Sequence, residues 1–459
     1  MVGYVFLAIL IFAFVAYAAG RSAGGRFMAA NGAATHSLPN YHGVFVAIWV
    51  GLPALILVLL WLLLQNTVID RLLIALLPDG MTEGASAAQL SLYISEIRNV
   101  AAGRIFSEPS AEIRAAAADF VRWSGIARWA MAAVTVALMT VALFVARLRL
   151  APRFRARNNV ETILSGLMVF CSVVAVLTTL GIIVSLLYEA IAFFRLVPPT
   201  EFFFGLRWEP QIAIRADQVA GAGAFGAVPV FLGTLVISFI AMLVAVPIGL
   251  FTAIYLVEYA DDRVRAVVKP VMEILAGIPT VVYGFFAVLT VAPAIREAGG
   301  LIGVATSPNS ALAAGGVMGI MIIPFISSLS DDALKAVPRA MRDGSLAMGA
   351  TRAETMTRVL VPAALPGIMG GVLLALSRAI GETMIVVMAA GLIATMTVNP
   401  LDAVTTVTVQ IVTLLIGDTE FDNPKTLAAF ALGLVLFVVT LFLNIVALRI
   451  VQKYREQYE

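Results

Sequence analysis

Arg378 and Glu382 stand four residues apart in a stretch that carries no other charge between Pro362 and Pro400. A helix counted from Pro366 takes Arg378 about 12 residues in, or roughly 18 Å, near the middle of a hydrocarbon core of about 30 Å. A charge at that depth is costly, so it faces a protein interior or a water-filled path and marks a functional position. The planar donor fork of a guanidinium suits the oxygens of any oxyanion. Glu382 falls one turn further along the same face, and Gly367, Gly371 and Gly381 on that side allow close helix approach. Two readings coexist. The two side chains form an ion pair that neutralises two buried charges, or Glu382 holds Arg378 ready, so that a passing anion is attracted without being trapped. Glu273 is a third acidic residue, near the end of its apolar run. It is a candidate for the path or a gate, although a solvated helix terminus explains it equally well.

Other chemistries find little support. No nucleophile with an adjacent base and no cluster at metal-ligand spacing occurs in the apolar runs. His36 and His42 flank one loop without companions and read as surface residues. The single cysteine, Cys171, allows neither an intrachain disulfide nor a cysteine metal site, and its place in an apolar run points to packing. No glycine is followed directly by lysine, so the phosphate-cradling loop G-x-x-x-x-G-K-[ST] is absent and no ATP is held by that route.

The elements that must position these residues are membrane helices. Of 459 residues, 61% are hydrophobic and 13% charged, and the mean hydropathy is +0.99, outside the range of soluble domains. The net charge of +2 is spread along membrane boundaries and forms no nucleic-acid patch. The pattern predicts an all-α integral membrane protein with about nine transmembrane helices, near 2–19, 43–65, 126–147, 161–192, 229–257, 268–293, 310–329, 365–393 and 426–450. The first run resembles a signal peptide in its small residues, but Arg21 and Arg26 follow it and no basic segment precedes it, which favours a retained anchor. Arg147, Arg149, Arg153, Arg155 and Arg157 form a connector without an acidic residue, which stays cytoplasmic. Alternation then puts the N-terminus outside and puts the loop at 330–364 and the tail with Arg449, Lys453 and Arg455 in the cytoplasm. The loop at 394–424, with Asp402, Asp418, Glu420 and Asp422, falls outside. The connector separates an N-terminal extension, 1–150, with three spans from a domain at 151–459 with six. The polar segment at 71–121 reads as short amphipathic helices on the outer side.

The 330–364 loop is itself helical in pattern, with helices over 333–341 and 343–359 punctuated by Pro338 and Pro362. Within it stands D-G-S-L-A-M-G-A-T-R-A-E-T-M-T-R-V-L-V-P, residues 343–362. This resembles the EAA signature of ABC importer permeases: Asp343 takes the acidic place, Gly349 the glycine, and Val359, Val361 and Pro362 the close. The physics is docking. Ala347, Gly349 and Ala350 let a helix backbone enter a cleft on a partner, a break after Gly349 turns the chain, and Pro362 sets the start of the next membrane helix. Gly344 and Ser345 replace the usual alanines, and the glycine loosens the first turn by about 1 kcal/mol. An interfacial helix with no partner is the plain alternative.

Residues 378–384, R-A-I-G-E-T-M, and 273–284, E-I-L-A-G-I-P-T-V-V-Y-G, resemble the phosphate-specific importer permeases, and M-I-V-V-M-A-A-G after Thr383 is similar to the PstC-type subunit. The likeness continues through E-F-F-F-G-L-R-W-E-P at 201–210 and A-I-Y-L-V-E-Y-A at 253–260. It covers about residues 150–459 and implies that the last six helices form a type I ABC importer permease core. It also implies a PstA-type permease, a PstB-type ATPase dimer that binds magnesium and ATP, a PstS-type phosphate-binding protein, and inorganic phosphate as cargo in the bacterial inner membrane. No cofactor belongs to this chain, and it is no enzyme itself. Sulfate, molybdate or phosphonate would suit an arginine as well, and an ion-coupled secondary transporter also carries midplane charges.

Overall fold

A computed structural model describes residues 2–31, 35–78, 87–104, 109–211, 223–416 and 423–454. Asp418, Glu420, Asp422 and Arg455 lie outside the described residues, as do 79–86 and 105–108 of the polar segment. The chain divides into two compact units, Met1–Val176 and Leu177–Glu459. Among the described residues nine helices are long and apolar enough to cross a membrane.

In the first unit α1 (Val2–Asn31) packs along α2 (Pro39–Leu76), which also meets α4 (Ala111–Leu148). His42 is not a surface residue. It is 1% exposed, because Gly24 brings the α1 backbone against its ring and Phe27 and Phe154 stand 6.1 and 6.3 Å from it. Of the segment 71–121 expected to form short amphipathic helices, Ala87–Ala101 does so as α3, pinned by Arg98, which donates to both oxygens of Asp70 at 2.8 Å, whereas the two ends of the segment belong to the long helices α2 and α4. Ser110 caps α4 by accepting from the Ile113 N–H at 3.3 Å.

The unit boundary falls inside α5 (Ala156–Leu196). Cys171 on α5 is exposed, so the packing role is corrected: this helix is apolar all round, and none of its central span is buried within the chain.

The second unit continues through α6 (Pro199–Phe204) and a two-residue antiparallel hairpin, β1 (Trp208–Glu209) with β2 (Ala224–Phe225), Trp208 facing Phe225. Then follow α7 (Val228–Ile254) with a π turn at Tyr255–Tyr259, α8 (Asp262–Gly277), α9 (Thr280–Phe286), a π turn at Ala287–Val291, α10 (Ala292–Leu301) and α11 (Ala311–Lys335). After α12 (Arg339–Ala347), α13 (Arg352–Thr355) runs through a π turn at Met356–Leu360 into α14 (Val361–Gly381). The short helices α15 (Met384–Ala389) and α16 (Val407–Leu415) precede α17 (Pro424–Tyr454).

Helices α7 and α11 form the centre of this unit. They interlock through small residues: a Cβ on Gly315 would lie 2.8 Å from the Ile240 Cβ, and one on Gly249 would lie 2.9 Å from that of Ile326. Such contact replaces a hydrophobic driving force that lipid cannot supply.

The first three spans, Val2–Ala30, Pro39–Ala75 and Ala111–Leu148, run well beyond the expected 2–19, 43–65 and 126–147, and two later spans are displaced. The sixth is Thr280–Leu301, not 268–293, because Ile278 and Pro279 take extended backbone and end α8 as a separate helix. The eighth is Arg352–Gly381, not 365–393. Glu382 and Thr383 stop it by capturing backbone groups: the Glu382 carboxylate accepts from the Met384 N–H at 3.0 Å, and the Thr383 hydroxyl donates to the Gly381 carbonyl. The helix expected over 333–341 is also divided, since α11 continues to Lys335 and Pro338 opens α12.

Candidate functional site

Helix α8 is amphipathic the unusual way round. Its outer face carries exposed Val264, Val267, Val271 and Ile274, while Lys269, Met272, Glu273 and Ala276 line a half-open cavity of about 260 Å³, Glu273 and Ala276 remaining exposed. Spacings of three and four residues put those four on one helical face. The opposite wall comes from α11, through Phe325, Ser327, Ser328 and Asp331, and from Arg378 on α14.

Arg378 occupies the last turn of α14 rather than its middle. Its cation is favourable beside the helix's C-terminal carbonyls, and its guanidinium carbon lies 5.7 Å from the centre of the Phe325 ring. Arg378 and Glu382 are not a helical i,i+4 pair. Glu382 has extended backbone, φ −70 and ψ 132, and no ion pair joins the two among the described residues. Glu382 instead braces the helix break. Its side chain holds the start of α15, and its freed carbonyl accepts from the Thr408 hydroxyl at 2.9 Å. Glu273 sits in the last turns of α8, so the favourable dipole of a helix N-terminus does not explain it. It faces the same cavity as Arg378.

The spacing of charges did not single out Asp331. The predicted seventh span stops two residues short of it. Its side chain is 6% exposed, and it accepts from Arg265 Nη2 at 3.0 Å, Lys269 Nζ at 3.3 Å and Lys335 Nζ. Arg265 and Lys269 are one turn apart on α8, four residues before Glu273, and that i,i+4 repeat is the signal that could have revealed the charged face.

Beyond this cluster lies the segment whose sequence resembles a docking loop. Asp343 and Ala347 are exposed on α12, Gly349 and Ala350 form the turn that follows, and Pro362 stands in the first turn of α14 after the π turn. Gly349 has φ +90, a conformation that L side chains rarely adopt. Thr351 then starts α13 with a capping box, accepting from the Glu354 N–H while the Glu354 carboxylate accepts from its own. Met348, at the tip, is 88% exposed. Glu258 and Arg342 were also missed. Glu258 lies in the π turn after α7 and accepts from Arg342 Nη2 at 2.9 Å.

A half-open cavity carrying four charged side chains, on a chain whose described residues include nine helices long and apolar enough to cross a membrane, is the arrangement of a membrane permease. Comparison with known proteins agrees. Residues 245–456 match the family model for the binding-protein-dependent transport system inner membrane component, and residues 6–178 match one described as phosphate ATP-binding cassette transporter. The probable ABC transporter permease protein YqgH of Bacillus subtilis is 33% identical over 288 residues, 62% of this chain and 89% of that protein. The phosphate transport system permease protein PstC 1 of Mycobacterium tuberculosis is 34% identical over 277 residues, 55% of this chain and 81% of that protein. That of Mesorhizobium japonicum, PstC, is 34% identical over 241 residues, 49% and 72%. The chain belongs to the permeases of binding-protein-dependent ABC transporters. Within them it belongs to the PstC-type family.

Proposed function

We propose that this chain is a phosphate-conducting permease subunit of an ATP-driven importer in a bacterial inner membrane, forming half of the path beside a PstA-type permease. The observation that carries this reading is the inverted amphipathicity of α8, whose charged face lines a cavity together with Arg378. A helix that keeps valine and isoleucine on one face and sets lysine and glutamate along a cavity on the other suits a polar path beside an apolar surrounding. The relatives named for phosphate transport support the choice of cargo.

A PstB-type ATPase dimer grips the 330–364 loop through Asp343, Ala347, Gly349 and Ala350 from the cytoplasm, and magnesium and ATP belong to that partner. A PstS-type protein delivers phosphate from outside, where the N-terminus also lies, and the C-terminus is cytoplasmic. Glu382 fixes the break that presents Arg378, and Glu273 tempers the cavity's positive charge. The test is ATP hydrolysis by the purified complex with its binding protein. Phosphate should stimulate it and sulfate, molybdate and phosphonate should not, and Gly349→Trp should abolish recovery of the ATPase with this chain. Stimulation by another oxyanion alone would reassign the cargo, and a chain active without an ATPase would refute the reading.

A further inference from the structure

Asp331 is one carboxylate holding three cations. Arg265 occupies Oδ1 at 3.0 Å, while Lys335 and Lys269 share Oδ2, and Lys269, at 3.3 Å, makes the longest of the three contacts. Without Lys269 the buried carboxylate keeps a cation on each oxygen. Lys269 alone of the three lines the cavity shared with Arg378, Ser327 and Ser328. It is thus a surplus cation, 39% exposed in its side chain, at one wall of a charged cavity.

We propose that Lys269 is a second oxyanion ligand, which takes a tetrahedral oxyanion from Arg378 by exchanging its bond to Asp331 for one to the anion. The inference rests on the cavity being part of the transport path. The exchange gives up the longest of the Asp331 contacts for a charge-assisted bond to the anion, so the net gain is at most about that of one hydrogen bond and the anion is held without being trapped. The lining charges support weak binding. Lys269 and Arg378 are balanced by Glu273 and Asp331, and Asp331 competes for Lys269 whenever an anion is there.

A structural clip and an anion ligand make opposite predictions. If Lys269 only fastens α8 to α11, then Lys269→Gln and Asp331→Asn shift the inhibition in the same direction or not at all, Asp331→Asn the more strongly because it also weakens the contacts to Arg265 and Lys335. If Lys269 binds the anion, Asp331→Asn frees it and strengthens binding, whereas Lys269→Gln weakens it. The experiment uses the complete transporter in proteoliposomes, with labelled phosphate and binding protein outside, ATP inside, and inorganic phosphate loaded inside at graded concentrations. Initial uptake rates give the internal phosphate concentration that halves transport.

Lys269→Gln should raise that concentration about tenfold and Asp331→Asn should lower it by a similar factor, the size expected for one hydrogen bond to a charged group. Lys269→Arg, which keeps the charge, should return it to within about threefold of the unaltered value. Shifts in the same direction, or no shift in Lys269→Gln, overturn the proposal. If Asp331→Asn fails to assemble, a failure of Lys269→Arg to reverse the Lys269→Gln shift overturns it instead. Arg378→Gln separates the two levels: normal uptake in that variant removes the path itself, whereas lost uptake beside unshifted Lys269 variants removes only this inference.

Discussion

Arg342 Nη2 lies 2.9 Å from Glu258 Oε1 and so ties the first helix of the docking segment to the π turn that closes α7. The Glu258 side chain is 1% exposed, and its Oε2 has no hydrogen-bond partner. One guanidinium therefore compensates a charge that is out of water, beside apolar packing of Met341 against the cluster that includes Ala253 of α7.

Removing either partner has unequal effects. Arg342→Ala leaves a buried carboxylate unpaired and should destabilise the purified complex by about 2–3 kcal/mol, below the range for fully buried pairs because Arg342 is 38% exposed. Glu258→Gln removes the buried charge with its partner's need and should cost about 1 kcal/mol or less. Thermal unfolding of the two variants side by side checks the order.

At Gly349 the constraint is conformational rather than steric. Its φ is +90, and nothing lies within 4 Å of an added Cβ. Gly349→Ala should therefore cost about 1–2 kcal/mol through backbone strain alone, and Gly349→Asn less, since asparagine tolerates positive φ better. ATPase recovered with each variant, measured at equal permease level, should follow Gly, Asn, Ala in falling order.

Gly315 sets the α7–α11 distance. A Cβ there meets the Ile240 Cβ at 2.8 Å and the Ile237 carbonyl oxygen at 3.0 Å, neither of which is the free end of a flexible chain. Gly315→Ala should lower stability by about 1–3 kcal/mol. At Gly316, where nothing lies within 4 Å, the same substitution should be neutral or slightly stabilising, as expected for a helix interior. Thermal midpoints of the two variants in one detergent separate packing from propensity.

The number of membrane helices was legible in the sequence because each has its own apolar run. Two boundaries were not, for different reasons. After Gly381 the chain remains apolar through Met384–Ala389, so hydropathy carries on across a break that Glu382 and Thr383 make with two local hydrogen bonds. In α8 the valines that suggested a membrane span are real, but they face outward. The charges at 265, 269 and 273 recur every fourth residue on the other face, where Arg265 and Lys269 meet Asp331 and Lys269 and Glu273 border the cavity. A window average cannot tell that helix from a span, whereas a count along its two faces can. Arg378 was singled out as a charge within an apolar run and by the R-A-I-G-E-T-M resemblance. Its neighbours Lys269 and Asp331 come from other helices, and pairing across helices has no local signature. The turn at Gly349 was predicted by residue type, and its positive φ is the physical reason for the glycine.

Uptake of labelled phosphate by the complete transporter carrying Arg378→Gln tests the central claim most directly, with Arg378→Lys as its companion. With assembly and ATPase recovery unchanged, Arg378→Gln should reduce uptake about a hundredfold, as for a functional charge within a membrane protein. Arg378→Lys, which keeps the charge but loses the planar donor fork, should fall about tenfold. Uptake by Arg378→Gln within about twofold of the unaltered transporter would contradict a role for this cavity in conducting the anion.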